Sequence, residues 1–197
     1  SLSGSNTPPY ATLTDGTNDI QTAIDAASTG DFILVDDGTY TLSANISVTK
    51  GVTVRSINGK DAVTIDGNNS TRCFYINHAD AVVDGFSIIN GYNPGGFGGG
   101  VDIANGGTLQ NSFVSGCQAR DGGGVAIDYG GLVQNCIIAN NSADNNSGSG
   151  YGGGIRLLNA GTARNCLVYE NTSLYLGGGI NVWNAGTIQN CTVTQNT

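Results

Sequence analysis

The chain has 197 residues and a mass of 20.0 kDa, enough for one domain with a real interior and too little for two ordinary ones. Thirty-two glycines are about twice the usual share, yet three prolines and no methionine exclude collagen-like and Pro-rich disordered chains, and 39% hydrophobic against 11% charged residues exclude a chain kept expanded by its charge. A net charge of −8 sets aside a nucleic-acid partner held by a basic patch, and no apolar run approaches the roughly 18 to 20 residues that cross a bilayer, so no membrane insertion is expected.

Residues 1–16 read as an N-terminal extension, in which SLSGSNTPP has neither the basic start nor the apolar middle of a signal peptide. TNDIQTAIDAASTGD then places Ile20, Ile24 and Ala27 at helical spacing, with Thr17 or Asn18 as the cap and Asp19 near the positive end of the dipole. This predicts a helix near residues 18–28. A solenoid exposes an apolar cross-section and unpaired strand edges at its first coil, and a short amphipathic helix is the expected plug. FILVDDGTYTL, ISVTKGVTVRS and AVTIDG follow as β-branched strands broken by Gly and Asn turns, and FYINHADAVVDGFSIING from Phe74 is a divergent first copy of a repeat.

The repeat becomes plain in residues 98–197. Gly-Gly-Gly recurs at Gly98, Gly122, Gly152 and Gly177, at spacings of 24, 30 and 25 residues. Each triplet opens a short alternating stretch (Val101/Ile103, Val125/Ile127, Ile155/Leu157, Ile180/Val182), then a turn, a second stretch, an Asn and a third stretch. Three short strands per copy cannot bury themselves alone, but stacked copies share one interior, so the repeat predicts a parallel β-helix with three strands per coil. Roughly seven coils of about 4.8 Å each make a cylinder about 34 Å long. The extra residues of the longest copy fall in SADNNSGSGY, residues 142–151, as a loop on one face. Alternation places Ile155 and Leu157 inside and Arg156 outside, and puts Asp102, Ala126 and Asn181 on the same outer face.

Asn111, Asn135, Asn165 and Asn190 hold one position of the repeat, before the third strand, where stacked side chains form a hydrogen-bonded ladder and the turn favours left-handed backbone. Cys136, Cys166 and Cys191 hold the next position. Parallel, in-register Cβ vectors disfavour the disulfide dihedral of about 90°, so stacked, buried, reduced thiols are expected.

The segment DIQTAIDAASTGDFILVDDGTYTL, with VTIDG and AVVDGFSIING after it, resembles the N-terminal cap and first coils of the pectate-lyase-like right-handed parallel β-helix superfamily. The GGGI…NAGT…NC units resemble the glycine-rich repeats of bacterial cell-surface β-helix proteins of the polymorphic outer-membrane and choice-of-anchor types. The resemblance implies an all-β, right-handed parallel β-helix with a short capping α-helix, and an extracellular or bacterial cell-surface location. It is specific for fold and weak for activity, because lyases, hydrolases, adhesins and tailspikes share the scaffold.

A lyase of this kind needs a Lys or Arg base beside acids that offset a uronate. Arg120 with Asp121 and Asp102, and Arg156 with Arg164 and Glu170, are the weak catalytic candidates, against the ordinary reading as surface ion pairs. The Arg-rich and Trp-containing lyase segments are absent, as are the acidic triad and Gly-His of polygalacturonase-type hydrolases. Calcium could bind Asp36-Asp37 or Asp61 with Asp66, but carboxylates beside Gly also form turns; no cofactor or metal is expected. Tyr129, Tyr151, Tyr175 and Trp183 are candidate platforms for a polysaccharide or cell-surface glycan. The leading reading is a non-catalytic extracellular β-solenoid, an adhesin or stalk that contacts polysaccharide. The alternatives are a polysaccharide lyase or glycoside hydrolase fragment, and a subunit of a head-to-tail filament, because CTVTQNT ends in a strand with no capping sequence behind it.

Overall fold

The computed structural model describes residues 19–144 and 150–197. The extension expected over residues 1–16 lies outside them, as do residues 145–149 of the SADNNSGSGY turn. The chain is a right-handed parallel β-helix with one helix before its first strand.

That helix is Ile20–Ala26, shorter than expected, and its cap is Asp19 rather than Thr17 or Asn18. The Asp19 carboxylate accepts from the backbone N–H groups of Gln21 and Thr22, satisfying donors that the first turn leaves open. At the other end Lys50 Nζ donates to the carbonyls of Ile24, Asp25 and Ala27 at 3.2, 2.7 and 2.8 Å, placing a cation on the negative pole of the dipole. Ile20 and Ile24 are buried and join the core of the first coils.

In a regular coil Val101–Ile103 lies in a first sheet of six strands, Thr108–Gln110 in a second of seven and Phe113–Ser115 in a third of seven, every pair parallel and each strand bonded to its counterpart one coil away. Three strands per coil describes the early coils. From Tyr92 onward a fourth strand is added, as Tyr92–Phe97, Gln118–Asp121, Ser142–Ala143 and Thr172–Ser173. The earlier coil has GNNSTR at that place, and left-handed backbone at both Asn68 and Asn69 (φ 53 and 51) turns the chain before a strand can form.

The interior consists of columns of like residues. Val54, Val83, Leu109, Val133 and Ala163 stack in the second sheet, and Ile65, Ile88, Val114, Ile138 and Val168 in the third, all fully buried. Each such side chain contributes about 1.5–3 kcal/mol by leaving water, and β-branched residues suit the pleat.

Two asparagine ladders hold the corners. The surface ladder runs from Asn165 to Asn135 Oδ1 (3.2 Å), Asn135 to Asn111 Oδ1 (3.4 Å) and Asn111 to Asp84 Oδ1 (2.7 Å). Asn190 shares their left-handed backbone without a side-chain bond to Asn165 among the described residues. A second ladder lies inside, where Asn141, Asn171 and Asn196 stack, each donating from Nδ2 to carbonyls of its own and the preceding coil. The three cysteines predicted to stack lie beside the surface ladder, and their thiols donate to the carbonyls of Gln134, Arg164 and Gln189. All five cysteines are free. Burial pushes the Cys136 thiol up, which keeps it protonated and unreactive.

Candidate functional site

Asp102, Ala126 and Arg156 do occupy one outward column of the first sheet, yet they are buried, so the expectation of an open outer face is corrected. The cause is the glycine triplet. Its first glycine adopts left-handed backbone (φ 62 at Gly122, 70 at Gly152) and turns the chain back over the middle residue of the next strand. A Cβ on Gly122 would stand 2.9 Å from the Ala126 Cβ, and one on Gly152 3.0 Å from the Arg156 Cβ. The end of the fourth sheet is thereby brought alongside the outer face of the first, making a corner lined by charged and aromatic groups.

Two ion-pair centres sit in this corner. In the lower one Arg72 Nη2 is 3.1 Å from Asp102 Oδ2, while its Nε and Nη2 also donate to the carbonyls of Gly98 (3.0 Å) and Phe97 (2.9 Å). In the upper one Asp121 lies between two arginines, with Oδ2 2.9 Å from Arg120 Nε and Oδ1 2.6 Å from Arg156 Nη1; Oδ1 also accepts from the Tyr151 N–H at 3.2 Å. The aromatic rings carry cations. Arg120 stands 4.8 Å from the Phe97 ring centre, and Arg156 4.7 Å from that of Tyr151, which in turn lies 5.7 Å from the Tyr175 ring.

The two centres differ in how well the buried charge is satisfied. Arg72 has two carbonyls and a carboxylate. Arg156 is 8% exposed, and its one charged partner among the described residues is Asp121, whose Oδ1 lies 2.6 Å from Nη1. Its Nε is wholly buried without a hydrogen-bond partner among the described residues, as is Asn181 Oδ1 on the next rung of the same column. Unsatisfied buried donors cost about 1–3 kcal/mol each, so this is an unusual place for an arginine.

Asp102 is 6% exposed, and burial pushes its carboxyl up to about 6, helped by Asp128 and opposed by Arg72, whose single charge does not make up for the lost water. An acid with a raised folded pKa binds its proton more tightly in the fold. Its contribution to stability is complete below the ordinary value of 3.8 and is lost as pH rises through about 6. Acidification from about pH 7 to 4.5 is therefore expected to stabilise the protein by about 2 kcal/mol through this group, read as a rise in melting temperature that Asp102→Asn removes. Asp84 works in the opposite sense lower down. Burial pushes its carboxyl up, but hydrogen bonds from Asn111, Arg55 and Gln110 and the Arg55 charge outweigh that and hold it below the ordinary value of 3.8, so its contribution disappears only as pH falls through its folded value. A melting temperature that is flat or falling from pH 7 to 4.5 in the wild type would overturn the assignment.

Of the residues singled out in the sequence, Arg120, Asp121, Arg156, Tyr151 and Tyr175 meet here. Asp102 lies in the same corner but pairs with Arg72, not with Arg120, and Arg156 pairs with Asp121 and not with Glu170, which occupies a left-handed turn (φ 54). Tyr129 and Trp183 are exposed in turns after the first sheet, apart from the Tyr151–Tyr175 pair. Arg72 was missed. The pairing of Phe74 with Val101 aligns Arg72 with Gly99, the middle glycine of a triplet, and a long side chain there reaches the next coil. Among the acids considered for calcium, Asp37 accepts from Asn58, Asp61 pairs with Lys60, and Asp66 accepts from the Asn68 N–H and from Asn90. Among the described residues no group of three or more His, Cys, Asp and Glu is arranged to hold a metal ion.

These features define a parallel β-helix with a polar and aromatic corner along one edge. Among solved structures, the chain is similar to pectin methylesterase in complex with a hexasaccharide, with a TM-score of 0.59 and 12% identity over 89% of this chain. The match spans 63% of the length of that protein. At this identity the likeness is one of fold. No family model matches the chain, and no curated protein matches it in sequence.

Proposed function

We propose that the chain is a non-catalytic β-solenoid of an extracellular or cell-surface protein, an adhesive or stalk-like module that holds polysaccharide along the corner between the first and fourth sheets. The observation that carries this reading is the tilted Tyr151–Tyr175 pair beside Arg156, since Tyr175 is 60% exposed and offers a ring face next to buried polar groups. The solved β-helix of similar fold is a protein in complex with a hexasaccharide, which supports the same ligand class. Both Asp121 oxygens are engaged by Arg120, Arg156 and the Tyr151 N–H, which ill suits a general base. Titration calorimetry against a panel of neutral and acidic oligosaccharides is expected to show binding, and Tyr175→Ala to weaken it by about tenfold, equivalent to about 1.4 kcal/mol. Absence of binding across the panel, or affinity untouched by Tyr175→Ala, would count against the reading.

A second reading, catalysis on the same polymers, draws on Asp102, whose carboxyl is pushed up to about 6 in the range suited to proton transfer. Release of unsaturated or reducing-end products, lost in Asp102→Asn, would favour it over a binding module.

A further inference from the structure

We infer that Asn58 and Asn105 are sites of spontaneous self-modification, at which the nitrogen of the following glycine cyclises onto the side-chain amide and leaves isoaspartate or aspartate in the turn. This is independent of the glycan reading and rests on which glycine N–H groups the coils leave free.

The described residues contain three Asn-Gly junctions, at Asn58, Asn90 and Asn105, and four Asp-Gly junctions, at Asp37, Asp66, Asp84 and Asp121. In most of them the coils hold the glycine N–H. Gly38, Gly67, Gly85 and Gly122 donate to the carbonyls of Ala62, Ile89, Gln110 and Tyr151 at 3.0, 2.9, 3.1 and 2.9 Å, and Gly91 donates to Cys117 Sγ at 3.3 Å. Gly59 and Gly106 donate to nothing among the described residues. Each follows an exposed asparagine and has left-handed backbone (φ 85 and 75), and no side chain of its own shields its nitrogen from that asparagine. Asn90 is the internal comparison. It has the same dipeptide, but it is only partly exposed, its Nδ2 donates to Asp66 Oδ1 at 3.0 Å, and a Cβ on Gly91 would collide with the Gly99 carbonyl.

The reaction needs only water. The Gly106 nitrogen attacks Asn105 Cγ; the N–Cγ bond forms, the Cγ–Nδ2 bond breaks, and ammonia leaves with the proton that the attacking nitrogen gives up. Water then opens the cyclic imide. Attack at Cγ gives aspartate, and attack at the Asn105 backbone carbonyl gives isoaspartate, in which the main chain runs through the side chain. Asn58 and Gly59 react in the same way. The nucleophile is tethered beside its target, so no translational freedom is lost. Where the N–H is held in the ladder the bond must open first, and an opening that costs about 1.4 kcal/mol slows the reaction about tenfold. The product changes its surroundings too. Asn105 Nδ2 donates to Asn77 Oδ1 at 2.7 Å, and Asn58 Nδ2 donates to the two Asp37 oxygens at 3.0 and 3.1 Å. Conversion removes these donors and, at Asn58, sets a second carboxylate against Asp37.

The test incubates the native chain at mildly alkaline pH, folded and in urea, and follows each asparagine by peptide mass mapping, with electron-transfer fragmentation to separate isoaspartate from aspartate. The folded protein is expected to convert Asn58 and Asn105 at least about tenfold faster than Asn90, and unfolding is expected to bring the three to similar rates. Asn105→Gln, whose longer side chain disfavours the ring, is expected to stop conversion at that turn and leave Asn58 unchanged. Conversion of Asn90 in step with the other two in the folded protein overturns the inference, because the hold on Gly91 then has no effect. A folded chain in which either Asn58 or Asn105 stays as inert as Asn90 overturns it as well. The three junctions are compared within the native chain, so the result does not depend on a variant folding.

Discussion

Gly153→Ala is expected to prevent the protein from folding, while Gly130→Ala leaves it folded and only modestly weaker. Gly153 is the middle glycine of its triplet, and it is not held there by a left-handed backbone. What it needs is space. An added Cβ would stand 2.5 Å from the carbonyl oxygen of Gly178 and within the contact limit of the Thr172 carbonyl. Both are backbone atoms. The middle glycines Gly99, Gly123, Gly153 and Gly178 follow one another from coil to coil, and the ladder bonds from Gly153 N–H to Gly177 O and from Gly154 N–H to Gly178 O, 3.1 and 2.9 Å, run through the same place. Yielding to a methyl group means opening those bonds in two adjacent coils. Overpacking that flexible side chains absorb costs about 1–3 kcal/mol; here the obstacle is main chain, and a loss of about 4 kcal/mol or more is expected, comparable to the whole stability of a modest domain. Gly130 has left-handed backbone (φ 73) but nothing within 4 Å of an added Cβ, so only the conformational penalty of about 1 kcal/mol applies. Soluble yield and urea unfolding followed by circular dichroism measure the contrast. Equal behaviour of the two variants would mean that the triplets are there for flexibility and not for close approach.

The same triplets explain which parts of the molecule could be read from the sequence. Their period was visible, and with it the parallel coils and the inward columns, because a repeated Val-x-Ile has only one consistent way to stack. What alternation could not convey was that an outward residue can be buried by its own chain. Asp102 and Arg156 are outward by period and interior by burial, because the glycine turn folds over them, and this changes ordinary surface ions into desolvated ones. Arg120, Asp121, Arg156, Tyr151 and Tyr175 stood out individually, yet they are spread over three repeats, and only the fourth strand gathers them. That strand was not anticipated, since its length falls from six residues at Tyr92–Phe97 to two at Ser142–Ala143 and Thr172–Ser173, and two residues between turns carry no periodicity of their own. The inner ladder did leave a signal. Asn141, Asn171 and Asn196 each follow a surface-ladder Asn by six residues (135 to 141, 165 to 171, 190 to 196), and Cys117 follows Asn111 by the same six. A column that changes from Cys to Asn part-way reads as variable when it is uniformly a hydrogen-bonding position.

That inner column sets the other large effect: Asn171→Ala is expected to destabilise the protein by about 4 kcal/mol, against about 1 kcal/mol for Asn165→Ala in the surface ladder. Asn171 is fully buried and every polar atom of its side chain is used. Its Oδ1 accepts from the Asn141 N–H at 3.0 Å and from Asn141 Nδ2 at 2.9 Å; its Nδ2 donates to the carbonyls of Ile138 and Tyr169 at 2.9 and 3.0 Å and to Asn196 Oδ1 at 3.0 Å. Truncation strands the Asn141 N–H and weakens the acceptors of two coils, with no water able to replace the amide in an apolar interior. Each orphaned group costs about 1–3 kcal/mol. Asn165, by contrast, is exposed, and losing its 3.2 Å bond to Asn135 leaves groups that water can reach. Asn171→Asp sharpens the comparison. An ionised carboxylate has no hydrogen to give to Ile138, Tyr169 or Asn196, so it is expected to be at least as damaging as alanine at neutral pH and to recover part of the loss as the pH is lowered and the acid is protonated. Unfolding midpoints of the three variants across pH 4 to 8 test this; a similar small cost for Asn171→Ala and Asn165→Ala would show that the coils are held by their apolar columns alone.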